Sequence, residues 1–155
     1  MRVLVVEDQP VIAFALCDAL EEHGHEILGP ALSAEAASQL VSEIRPDVAF
    51  VDIDLEYPHA GLQLAHTLTE RLGIPIIFTT GQLEVARRSS IAYGLLAKPF
   101  SMRDAVAALD AIQLVSTGHP VHGGAASLEI FAHDKFEGSG AKKHGADCEA
   151  SQTQG

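Results

Sequence analysis

Short apolar runs alternate with helix-patterned stretches through the first 117 residues, and this alternation restricts the fold more than any other feature of the chain. The run "VLVV" (3–6) is β-branched and ends in charge, as a strand covered on both faces does. Pro10 then opens a helical pattern over 10–22, at a position where its missing N–H costs nothing. A weaker strand spans 25–31, and Ser33 stands as N-cap of a helix over 34–44 that stops before Pro46. The third strand, 47–55, carries carboxylates at its end; a helix over 61–72 stops at Gly73. A fourth strand follows over 74–80, a short polar helix over 83–92 and a fifth strand over 93–97. Ser101 caps a last amphipathic helix to about Val115.

Strands that alternate with helices imply an α/β fold: a parallel sheet with helices on both faces and right-handed crossovers. The size suits a doubly wound five-stranded sheet of order 2-1-3-4-5. After Gly118 the periodicity ends, and residues 118–155 are rich in Gly, Ser, Ala and charge. The expected organisation is therefore one domain over 1–117 and a low-complexity, disordered tail over 118–155, in which 127–132 forms at most a transient turn of helix.

Charge excludes two classes of partner. Residues 1–118 hold 16 acidic against 7 basic side chains, and the whole chain carries a formal charge of −11. Nucleic acid and anionic membrane surfaces both demand the opposite sign. Cys17 and Cys148 are too far apart in sequence for a metal or redox motif, which implies a reducing, cytoplasmic setting. No run of 18 apolar residues is present, so no membrane-spanning helix is expected.

In a doubly wound sheet the functional crevice lies at the carboxyl ends of the strands. Strand 1 ends in Glu7-Asp8, strand 3 in Asp52 and Asp54, strand 4 in Thr79-Thr80-Gly81 and strand 5 in Lys98-Pro99. Lys98 is the only lysine in the first 134 residues. Gathered carboxylates repel one another, and a hard divalent cation resolves that repulsion. Asp8 and Asp52, with Glu7 through water, suit the oxygen coordination of Mg²⁺. Lys98 and the Thr80 hydroxyl face the anion that such a site would receive, which equips Asp52 as a nucleophile toward a phosphoryl group. A cis Lys98–Pro99 bond would aim the ammonium back over the strand ends.

"VLVVED", "VDIDL", "FTTG" and "AKPF", in that order over 3–100, resemble the receiver domain of bacterial two-component response regulators, a flavodoxin-like fold. The resemblance implies that Glu7 and Asp8 hold Mg²⁺ and that Asp52 takes the phosphoryl group from a histidine kinase or histidine phosphotransfer protein. It implies that the Asp54 backbone carbonyl completes the metal site and that Thr80 and Lys98 contact the phosphoryl oxygens. The output would pass to a protein partner through the face made by helix 4, strand 5 and helix 5. On this reading the chain is a stand-alone phosphorylation switch and not an enzyme with turnover.

Three departures from the family pattern stand out. Pro58 and Gly61 fall six and nine residues after Asp52, where four and eight are usual, so the loop over the site is longer. The position three before the lysine, usually aromatic, is Leu95, and Tyr93 is the candidate substitute on the same strand face by alternation. Most regulators of this kind carry a DNA-binding domain after the receiver, whereas residues 118–155 read as a tail, so a stand-alone receiver is expected. Two other readings stand beside the switch: a pseudo-receiver that never carries phosphate, and a haloacid-dehalogenase-like phosphatase using Asp52 and Asp54 of "DID".

Overall fold

The computed structural model describes residues 1–117 and 127–131. β1 (Arg2–Val6), β3 (Val48–Asp52) and β4 (Ile76–Thr80) form the middle of the sheet, with β2 (Glu26–Ala31) at one edge and β5 (Ala92–Ala97) toward the other. These five strands are parallel and follow the expected order. Five helices connect them: α1 (Pro10–Glu22), α2 (Ala34–Glu43), α3 (Ala60–Leu72), α4 (Leu83–Arg88) and α5 (Met102–Ser116).

The capping signals act where the sequence places them. Ser33 accepts from the Ala36 amide, and Ser101 and Asp104 form a reciprocal capping box at the start of α5. β3 and β4 are buried along their whole length, as continuous apolar runs require when helices cover both faces. On one face Leu16 and Leu20 of α1 meet Leu109 and Ile112 of α5 over Val5 and Phe50. On the other, Leu64 and Leu68 of α3 pack with Ala37 of α2 and Ala86 of α4 over Val51 and Phe78.

Two expectations need correction. Helix 4 ends at Arg88, not at residue 92, because Ser89 takes an extended conformation and Ile91 turns into the core as β5 begins. The sheet also has six strands. Residues Leu128–Ile130 form β6, antiparallel to β5, where a transient helical turn was expected. The apolar–acidic–apolar order Leu128-Glu129-Ile130 is strand periodicity, and the open edge of β5 supplies its partner. The disorder expected for the rest of the tail concerns 118–126 and 132–155, outside the described residues.

Candidate functional site

Register brings the motif residues to one level. Val6 pairs with Val51, Asp52 with Thr79 and Thr80 with Ala97, so β1, β3, β4 and β5 all end together. The first residues past these strand ends meet at the crevice. One carboxylate oxygen each from Glu7, Asp8 and Asp52 lies within 4.8 Å of the others. Glu7 and Asp52 are buried, and Asp8 is half-buried on the solvent side. Lys98 Nζ donates to Glu7 Oε2 at 2.8 Å and to Asp52 Oδ2 at 2.6 Å. The Lys98–Pro99 bond is cis, as is Gly29–Pro30, which the sequence reading did not anticipate.

Burial pushes the Asp52 and Glu7 carboxyls above the ordinary carboxylate range, while their bonds to Lys98 pull the other way. Burial alone would lower the Lys98 ammonium, but its bonds to Asp52 and then Glu7 outweigh that and raise it. Three carboxylates against one ammonium leave this pocket short of positive charge. A hard oxygen-ligand set short of a cation fits Mg²⁺.

The backbone supports Asp52 closely. Asp52 Oδ1 accepts from the Asp54 amide at 3.2 Å. Gly61, at the start of α3, lies so near β3 that a Cβ there would stand 1.6 Å from the Asp52 carbonyl oxygen. Only glycine lets the helix approach this strand end. Thr79 and Thr80 are both buried, and Thr80 Oγ1 accepts from the Gln82 amide at 2.8 Å. Acting as an acceptor there, this hydroxyl keeps its proton for donation.

The model of the response regulator receiver domain matches residues 3–110. The chain belongs to that family. The transcriptional regulatory protein PdtaR of Mycobacterium tuberculosis is 30% identical over 113 residues, covering 70% of this chain and 55% of that protein. The phyllosphere-induced regulator PhyR of Methylorubrum extorquens is 34% identical over 103 residues, 64% of this chain and 38% of PhyR. Among solved structures, the receiver domain of NtrX from Brucella abortus is 28% identical with a TM-score of 0.63, covering 74% of this chain and 98% of that one. The chain spans about half the length of the curated relatives it matches.

Within this receiver, one sequence expectation fails. Tyr93 does not share a face with Leu95. The β4–β5 register shifts between Ile76↔Ala92 and Ile77↔Gly94, so Tyr93 is an extra residue in β5. The bulge sends Tyr93 to the α1–α5 side and leaves Leu95 in the core on the other. Alternation could not anticipate this, because the irregularity depends on the pairing with β4.

Sequence reasoning also missed Gln82 and His59. Gln82 Nε2 donates to Asp54 Oδ2, the His59 amide donates to Asp54 Oδ1 at 3.2 Å, and His59 Nε2 lies 3.3 Å from Gln82 Oε1. These contacts tie the long loop 53–59 to the start of α4. Nothing local marks either residue; a His at φ 66 just before α3 is visible only in the structure.

Proposed function

We propose that this receiver accepts a phosphoryl group on Asp52 in a Mg²⁺-dependent reaction and passes the change to a protein partner. The observation that carries the reading is the Asp52 carboxylate gathered with Glu7 and Asp8 and bonded to the Lys98 ammonium. Glu7, Asp8 and Asp52 would hold the ion, with the Asp54 backbone carbonyl. When bound, Mg²⁺ supplies positive charge to the phosphoryl oxygens.

A carboxylate oxygen of Asp52 attacks phosphorus as the P–N bond to the donor histidine breaks. The electron pair leaves with the imidazole, which takes its proton from water. The product is an acyl phosphate whose dianion faces Lys98 Nζ. Lys98 would then shift from the Asp52 carboxylate to the phosphoryl oxygens, and Thr80 would donate its hydroxyl proton to the same group. Moving Thr80 changes its bond to the Gln82 amide at the entrance to α4, which links the site to the α4–β5–α5 face. The donor would be a histidine kinase or a histidine phosphotransfer protein. Val11 and Phe14 of α1 are exposed apolar side chains just beyond the acid pair and suit its approach. The protein would act in the cytoplasm as a switch without substrate turnover. Among the described residues no helix is long and apolar enough to cross a membrane.

Against the phosphatase reading, both carboxylate oxygens of Asp54 already accept hydrogen bonds, from His59 and Gln82, and are committed to the loop. The pseudo-receiver reading draws on the 4% exposure of Asp52. One experiment separates the three. The chain is incubated with acetyl phosphate and Mg²⁺ and its intact mass followed. A gain of one phosphoryl group, absent in Asp52→Ala, supports the switch. Continuous phosphate release without a lasting adduct supports the phosphatase, and neither adduct nor release supports the pseudo-receiver.

A further inference from the structure

β6 lies where α4, β5 and α5 meet, and its contacts come from all three. The Ala97 amide of β5 donates to the Ser127 carbonyl at 2.7 Å, and the Phe131 amide donates to the Tyr93 carbonyl at 2.9 Å. Leu128 is buried in the cluster that holds Leu96 and Leu109. Arg87 of α4 donates through Nε to Glu129 Oε2 at 3.1 Å and through Nη2 to Oε1. Asp104, at the start of α5, is held below the usual carboxylate range, first by the Ser101 backbone and next by a bond with the Ser127 side chain.

At Gly94 β6 packs closely on β5. The Gly94 backbone is not in the left-handed region, so conformation does not require glycine. What glycine provides is room: a Cβ there would stand 3.2 Å from Ile130 Cδ1 and 3.4 Å from the Glu129 carbonyl oxygen. The face thus offers an open strand edge, a glycine notch and an arginine, the features that recognise an extended peptide by strand addition.

We propose that residues 127–131 are a built-in occupant of the α4–β5–α5 face, an extended apolar–acidic–apolar segment held there reversibly. The chain covers its own face and uncovers it when this segment leaves. Only three residues of ladder hold the segment, and its anchor pair, Arg87 and Glu129, lies on the surface. The Ser127 carbonyl accepts from Ala97, the neighbour of Lys98, so the covered state touches the end of β5 that bears Lys98. The inference goes beyond the phosphoacceptor reading and does not depend on it.

Residue-resolved hydrogen exchange on the unmodified full chain tests it. The Ala97 and Phe131 amides should exchange together, at least about a hundredfold faster than those of β1 and β3 yet measurably slower than an unstructured chain. Exchange as slow as the central strands would make β6 a fixed part of the sheet, and absence of protection would remove the docked state. Either result overturns the proposal. In Arg87→Glu the same two amides should speed up about tenfold, and adding Glu129→Arg should restore them. Unchanged rates in the single variant overturn the arginine anchor. Finally, a synthetic peptide of residues 125–132 should shift β5 resonances in the full chain carrying Leu128→Asp. It should bind the unmodified chain at least about tenfold more weakly, since that face is taken. Equal binding to both, or to neither, contradicts the proposal, and the exchange experiment stands without any variant.

Discussion

Removing the Lys98 ammonium would leave Glu7 and Asp52 buried side by side without a countercharge. Both carboxyls are already raised by burial, and Lys98 is what restrains the rise. In Lys98→Met their affinity for protons increases further. An acid with a raised folded pKa contributes stability below its unfolded value and loses it as pH climbs through the folded one. The variant should therefore match the parent in acid and fall about 3 kcal/mol behind it at neutral pH, measured by urea unfolding across pH. A constant deficit at every pH would show that the loss is packing and not charge. Gly61→Ala puts a methyl group into the Asp52 carbonyl, and a destabilisation of about 3 kcal/mol is expected in the same assay. The residues that make this site were legible because chemistry and order marked them at strand ends. His59 and Gln82 were not, since their role is a contact between two loops 23 positions apart.

Among the elements, β6 has the weakest hold. Burying Leu128 contributes about 2 kcal/mol, whereas fixing each residue's backbone costs about 1–2 kcal/mol, so the ladder and the Arg87–Glu129 pair decide whether it docks. Arg87 holds the Glu129 carboxyl below its usual range. A depressed folded pKa stabilises fully above the unfolded value and fades as pH falls through the folded one. Glu84 shares Arg87, and Asp104, itself held below the usual carboxylate range, faces the same segment. Cross-strand nuclear Overhauser contacts between Leu95 and Glu129 should weaken below the ordinary carboxylate range and on adding salt, while those between β1 and β3 persist. Contacts indifferent to both would mean that apolar packing alone holds the strand. Apart from the end of α4, the other elements were readable from periodicity and caps, as Pro10, Ser33 and Ser101 show. β6 was not, because three residues inside a Gly- and Ser-rich segment carry too little pattern, and the Tyr93 bulge was not, because it arises from pairing.

For the whole molecule, alternation of strands and helices implied a parallel sheet, the chain's size suited the order that β1 to β5 follow, and with that order came the gathering of four distant segments at one crevice. A Mg²⁺ ion bound there relieves the excess of buried negative charge, so it should stabilise the fold by mass action. At tenfold over its dissociation constant the gain is about 1.4 kcal/mol, or about 4 °C in Tm. Asp8→Asn should abolish the shift in a thermal scan. A shift that survives would place the ion elsewhere. The central claim, that Asp52 is the residue that carries the phosphoryl group, is tested most directly by trapping. The chain is treated with acetyl phosphate and Mg²⁺, reduced with borohydride and mapped by peptide mass spectrometry. An acyl phosphate at Asp52 is reduced to homoserine at position 52 and nowhere else, which is the predicted result; homoserine at position 8 or 54, or none at all, would contradict the account.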